Sequence, residues 1–194
     1  MPKVGQEPIR RAALVSATIH EIGRAGSLDV TMGQIARTAG MSTALAHYYF
    51  DSKNALFLAA MRHILREFAT SVRRRLKKAR SPRDRLAAIV DASLARDQFA
   101  RHVVSAWLVF YVEAQNTPEA ARLLRVYACR LHSNLMHELR QLVPAARAGR
   151  IAMGTAAMID GIYIRKALQG EYASHENVRP LVREYIDLML AADG

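Results

Sequence analysis

TMGQIARTAGMSTALAHYYFDSK, residues 31–53, reads as two short helices and the turn between them. The Thr31 hydroxyl can accept the amide of Gln34 while the Gln34 side chain reaches back to the Thr31 amide, a capping box that opens a helix. Gly40 ends that helix and supplies the φ > 0 that a tight turn needs. Ser42 is a natural N-cap for the next helix, which should end near Tyr48 or Tyr49. Ala36, Gly40 and Ala46 are small enough to let the two helices cross closely, and Ile35, Met41 and Leu45 lock the pair with apolar contacts. The segment is a helix-turn-helix.

Outward from it, glycine, proline and serine leave long intervals whose apolar residues recur at three and four rather than at two, so the whole chain is expected to be all-α. A first helix is predicted from about Ile9 to Arg24, with Leu14, Ala17, Thr18 and Ile22 on one face and Gly26 as its stop. Asp51-Ser52-Lys53 should cap a long fourth helix with a stripe of Phe57, Met61, Ile64, Leu65, Phe68, Val72 and Leu76, ending at Ser81-Pro82. Five further helices are expected over about 84–97, 102–116, 119–142, 149–169 and 178–191, punctuated by Pro118, Pro144, Gly149, Gly170 and Pro180. This divides the chain into a three-helix head at 1–50 and a larger helical body at 51–194.

Charge is divided in the same way. Over all 194 residues, 28 Lys+Arg stand against 17 Asp+Glu, but residues 1–80 hold 14 basic and 5 acidic side chains while the rest hold 14 and 12. A polyanionic partner docking at the head is therefore expected. A lone Cys129 excludes an intrachain disulfide framework and a Cys-rich zinc site, and it reads as a small buried hydrophobe. The start MPKVGQEPIRR has no signal-peptide stretch and no run is long enough for a membrane span, so a cytoplasmic protein with no membrane partner is expected. His132 and His137 are five apart, which does not suit two ligands on one helix face, so no metal is expected. Without a nucleophile elbow, phosphate loop or dinucleotide fingerprint, neither an enzyme nor a cofactor is expected. The run Arg73, Arg74, Arg75, Lys77, Lys78 and Arg80 reads as a solvated helix end.

Within the helix-turn-helix, Ser42, Thr43 and Ala44 begin the second helix and would face base edges in a major groove, their small methyl-bearing side chains suiting thymine methyls. His47, Tyr48, Tyr49 and Lys53 can clamp phosphates on either side, Thr31 offers another clamp, and Arg10 and Arg11 are placed for backbone contact. The plainer reading is that Thr31 and Ser42 only cap helices and that the tyrosines are partly core.

The succession IARTAGMS, HYYF and DSKNAL resembles the TetR family of bacterial transcriptional repressors over about residues 10–60. That resemblance implies a DNA-binding head on a ligand-binding body dimerised through its last helices. His47 stands where the family commonly has a phosphate-binding tyrosine. The start MPKVGQEPIRR, SAWLVFY at 105–111, RLHSN at 130–134 and AAMIDGIYIRKALQG at 156–170 are similar to the choline-responsive BetI branch, which controls conversion of choline to glycine betaine. The implied partners are a palindromic double-stranded operator, choline as effector, and a second copy of the chain.

Trp107, Phe110 and Tyr111 lie at i, i+3 and i+4 and share one helical face. A quaternary ammonium ion donates no hydrogen bond, so aromatic faces and a nearby carboxylate must hold it, and this trio supplies faces. Tyr127 and Tyr163 could add walls, with Asp91, Glu113 and Asp160 as counterions. The trio could equally be plain core, and Asp160 could pair with Arg165. Two alternatives stay open: a repressor answering an apolar or drug-like ligand, and a basic architectural protein that binds DNA with little sequence preference.

Overall fold

A computed structural model describes residues 5–169 and 174–192 of the chain; the expected stop at Gly170 lies outside the described residues. Among them are nine helices and no strand: α1 (Gln6–Ala25), α2 (Met32–Thr38), α3 (Thr43–Tyr49), α4 (Lys53–Leu76), α5 (Pro82–Ser93), α6 (Arg101–Glu113), α7 (Pro118–Leu139), α8 (Ala145–Gln169) and α9 (His175–Ala191). They form two compact units. One takes in the chain up to Leu65 together with Arg101–Leu123, and the other Arg66–Ala100 together with the chain from Leu124 onward. Residues of α4 and α7 thus belong to both.

In the first unit α1 buries Leu14, Val15, Ala17, Thr18, Ile19, Glu21 and Ile22, a broad stripe at helical spacing, and packs against α6 and α2. The contact with α6 is close because residue 23 has no side chain: a Cβ built on Gly23 would lie 2.4 Å from the His102 carbonyl oxygen. Ile35, Leu56, Phe57, Met61, Trp107 and Phe110 complete this core. In the second unit Leu86, Ile89, Leu94, Leu135, Ile151 and Val182 are buried, and α9 packs on α8 and α5. Arg85 donates to Glu138 at 2.6 Å, which supplies the buried carboxylate with its counter-charge.

Helix ends differ from the sequence reading where tertiary packing overrides punctuation. Pro82 opens α5 with Ser81 and Asp84 forming a capping box, and α5 ends at Ser93 rather than near 97, leaving Leu94, Ala95, Gln98 and Phe99 buried in a connection. Gly149 lies inside α8 instead of starting it, and α9 starts at His175, ahead of the expected 178, with Pro180 inside it. Cys129 is exposed, not buried. The buried stripe of α7 runs Tyr127, Leu131, Leu135 and Leu139, and position 129 is off it. Of the basic run, Arg73, Arg74, Lys77, Lys78 and Arg80 are exposed and Arg75 is half-buried. Among the described residues no helix is long and apolar enough to cross a membrane.

Candidate DNA-reading and effector sites

The geometry of the helix-turn-helix follows from local hydrogen bonds. Thr31 Oγ1 accepts from the Gln34 amide at 3.2 Å and Gln34 Oε1 accepts from the Thr31 amide at 2.7 Å, closing the capping box. Such a cap contributes about 1 kcal/mol. Gly40 sits at φ +68°, turning the chain so that Ser42 can cap α3, its Oγ accepting from the Leu45 amide at 3.2 Å. The helix pair is tied to α1 as well: Thr38 Oγ1 donates to Glu21 Oε1 at 2.8 Å while Arg24 donates to Glu21 Oε2 at 2.7 Å. Those two bonds, Arg24 first and Thr38 second, hold the buried Glu21 carboxyl below its ordinary pKa.

α3 turns Ala46 and Tyr49 inward. Thr43, Ala44, His47 and Tyr48 are left on the exposed face, with Ser42 exposed just ahead of them. Tyr48 is 74% exposed and Tyr49 only 9%, their rings meeting edge-on at 5.2 Å. The sequence reading that paired both as phosphate clamps is corrected here: one inward step of 100° separates them, so Tyr49 is core and Tyr48 is the outward ring. Lys53 donates to the Leu28 carbonyl at 2.7 Å, joining the start of α4 to the connection after α1. Arg11 also differs from expectation. Its guanidinium donates to the Tyr49 carbonyl at 2.7 Å and lies 4.5 Å above the Phe50 ring, so it anchors the end of α3 instead of standing out toward a phosphate. Arg10 donates to Gln6 at 2.9 Å.

The expected effector residues fall into two clusters, one in each unit. On α6, Trp107 and Phe110 are buried with ring centroids 5.7 Å apart, Phe110 meets Phe57 at 6.3 Å, and half-buried Tyr111 lies 5.8 Å from Trp107. Glu113 accepts from the Thr117 hydroxyl at the turn into α7. In the second unit Tyr127 and Tyr163 are buried, and each meets one further ring that the sequence did not mark as an effector residue. Phe68 stands edge-on to Tyr127 at 5.5 Å, and Phe99 lies 5.6 Å from Tyr163. The Tyr163 hydroxyl donates to the Ser93 carbonyl at the end of α5. Burial pushes both phenols well up in pKa, and the Asp160 carboxylate adds to the rise at each. Asp91 is corrected as a counterion: Arg179 holds it at 2.9 Å and Arg183 holds its other oxygen, so its charge is already met within the protein.

The chain matches the family model "Bacterial regulatory proteins, tetR family" over residues 14–60 and "BetI-type transcriptional repressor, C-terminal" over residues 82–191. It is 50% identical to the HTH-type transcriptional regulator BetI of Brucella suis (strain ATCC 23445 / NCTC 10510) over 191 residues, 98% of this chain and 96% of that one. The chain belongs to the TetR family, in its BetI-type branch. To the BetI regulator of Rhizobium meliloti (strain 1021) this BetI-type chain is 50% identical over 194 residues, all of its own length and 96% of the relative's. Among solved structures, a transcriptional regulator from Pseudomonas aeruginosa PAO1 shares the fold with a TM-score of 0.82 at 22% identity, covering 98% of this chain and 94% of that one. A regulator from Saccharomonospora viridis, solved in complex with choline, matches with a TM-score of 0.80 at 23% identity, covering 91% and 95%. This BetI-type chain is thus a DNA-binding transcriptional repressor and not an enzyme.

Proposed function

We propose that this repressor acts in the cytoplasm as a homodimer, reads a palindromic operator through the exposed face of α3, and releases it when choline binds the helical body. The observation that carries the DNA half is the outward set Thr43, Ala44, His47 and Tyr48 on a helix fixed at one end by the Ser42 cap and at the other by Arg11. Ser42, Thr43 and Ala44 face the bases, while Tyr48, His47, Thr31 and Lys53 bind phosphates, Lys53 by exchanging its bond to Leu28. One recognition helix reads too few base pairs for a useful operator, whereas a two-fold pair of heads reads two half-sites. Exposed Met153 and Leu168 on α8 and Leu181 and Leu188 on α9 supply an apolar face for the second copy.

Choline is supported by the BetI-type match over the body and by the choline-bound relative from Saccharomonospora viridis. A trimethylammonium group needs aromatic faces and negative charge, and Tyr127, Tyr163, Phe68 and Phe99 with Asp160 bring both into one unit. Trp107, Phe110 and Tyr111 on α6 carry further aromatic surface in the unit that holds α3. The regulated genes are then those for choline uptake and conversion to glycine betaine. Calorimetry of the purified chain with choline, followed by choline titration of the complex with its own upstream DNA, tests this. A two-fold symmetric footprint and release at the concentrations that give heat are expected; the absence of both heat and release would refute the choline reading.

A further inference from the structure

Tyr163 is met by the last residue of α5 and by the connection that follows it. Ser93 accepts from its hydroxyl, the Asp97 carboxylate raises its pKa, and the Phe99 ring lies 5.6 Å away. Gln98, between Asp97 and Phe99 in sequence, is only 5% exposed, and its Oε1 is buried with no hydrogen-bond donor among the described residues. Buried carbonyl oxygens in native proteins are almost always satisfied, and a bare one on the residue next to Phe99, which packs on Tyr163, is the condition a ligand donor would relieve. We propose that Gln98 is the specificity residue of the effector site, its Oε1 accepting the hydroxyl of a small quaternary-ammonium alcohol whose cationic end lies among Tyr127, Tyr163, Phe99 and Asp160. The inference rests on the choline reading above and deepens it.

The chemistry makes Gln98 selective. Choline carries one hydrogen-bond donor, its hydroxyl, because the trimethylammonium end has none. Replacing that hydroxyl by a methyl group gives propyltrimethylammonium, which keeps the charge and the shape but leaves Oε1 bare. Oxidising the alcohol to a carboxylate gives trimethylglycine, which at neutral pH has no donor and sets a negative group against an acceptor. The site therefore distinguishes the alcohol from its oxidised product, and the repressor answers the former.

Calorimetry on the full chain tests this with three probes: choline, propyltrimethylammonium and trimethylglycine. The wild-type chain is expected to bind choline about ten- to a hundredfold more tightly than propyltrimethylammonium, in line with an alcohol's donor meeting a buried acceptor. Trimethylglycine is expected to bind more weakly still. In Gln98→Met the preference for choline should shrink to about threefold or less, with propyltrimethylammonium affinity kept. Gln98→Glu retains an acceptor and should retain the preference, which covers the case in which the methionine variant does not fold. Equal binding of choline and propyltrimethylammonium by the wild type, or an undiminished preference in a folded Gln98→Met, overturns the assignment and leaves the choline reading intact. Failure of the wild type to bind any of the three refutes the choline reading itself, and the assignment with it.

Discussion

Arg11 separates two roles that sequence alone merges. Replacing it by alanine removes a charge-assisted bond to the Tyr49 carbonyl at 2.7 Å and a cation–π contact to Phe50 at 4.5 Å. The partly buried bond contributes about 1–2 kcal/mol after discounting for exposure, and the ring contact about 0.5–1 kcal/mol. The ion pair with Glu7 adds almost nothing, because it spans 3.8 Å between side chains 44% and 65% exposed. The expected loss is thus about 2 kcal/mol, or about 4–8 °C in thermal midpoint for a chain of this size at fixed protein concentration. Operator affinity should fall because the end of α3 is no longer held. The dependence of log affinity on log salt should keep its slope, since no phosphate contact is lost. If Arg11 instead reached the DNA, each copy would forfeit one phosphate contact, and a two-headed complex would lose about 1.8 from the slope. Fluorescence anisotropy across a salt series, beside thermal melts of Arg11→Ala and wild type, reads both quantities. A slope reduced by about two with an unchanged midpoint would refute the anchoring role.

Thr43→Ala should weaken operator binding by about five- to fiftyfold while leaving random-DNA affinity nearly unchanged, and competition gel shifts with both DNAs would show it; an equal fall on both would mean that α3 does not read bases. Glu21 has a pKa depressed in the folded state, so its carboxylate stabilises the head above the ordinary value of 4.5 and that contribution is lost as pH drops through the lower, folded-state value. Denaturant midpoints of wild type and Glu21→Gln should therefore differ at pH 6–7, by about the effect of weakening its bonds to Arg24 and Thr38, and converge in acid. Gly23→Ala places a methyl 2.4 Å from a backbone oxygen of α6, so the helices must separate, and urea unfolding should show a loss of about 1–3 kcal/mol; no loss would contradict the close approach.

What could be read from the residues was mostly what is decided within one helical turn. The Thr31–Gln34 box, the Ser42 cap and the Gly40 turn are interactions between residues at most a few positions apart, so their participants stand together in the sequence. Gly149 and Pro180 misled for the complementary reason. Their local cost, about 1 kcal/mol for a helical glycine and about 3 kcal/mol for a proline inside a helix, is outweighed by the burial that holds the rest of each helix. Ala148, Ile151 and Ala152 are fully buried around Gly149, and Val178 and Val182 are buried around Pro180. Cys129 and Tyr49 were open to a closer reading, because the phase of a helix follows once one inward residue is fixed. With Leu131 and Leu135 inward, position 129 points away; with Ala46 inward, Tyr49 follows three residues later and Tyr48 does not.

The site was less legible than the fold because its parts are brought together by contacts that no spacing encodes. Arg11 and Tyr49 are 38 residues apart, Tyr163 and Ser93 are 70 apart, and Arg179 and Asp91 are 88 apart. Helical spacing marked the α6 trio, and the structure packs Phe110 of that trio against Phe57 in the core of its unit. In the second unit Tyr127 meets Phe68, which the α4 stripe marked only as core, and Tyr163 meets Phe99, from a connection with no helical periodicity of its own. Gln98 was hidden for a related reason: a helix carried on to residue 97 leaves no connection to bury an amide in, and only the stop at Ser93 turns that residue inward. Periodicity therefore finds the face of one helix, whereas a ligand is held by several, and the residues that choose among ligands are the polar ones a packed core would otherwise exclude.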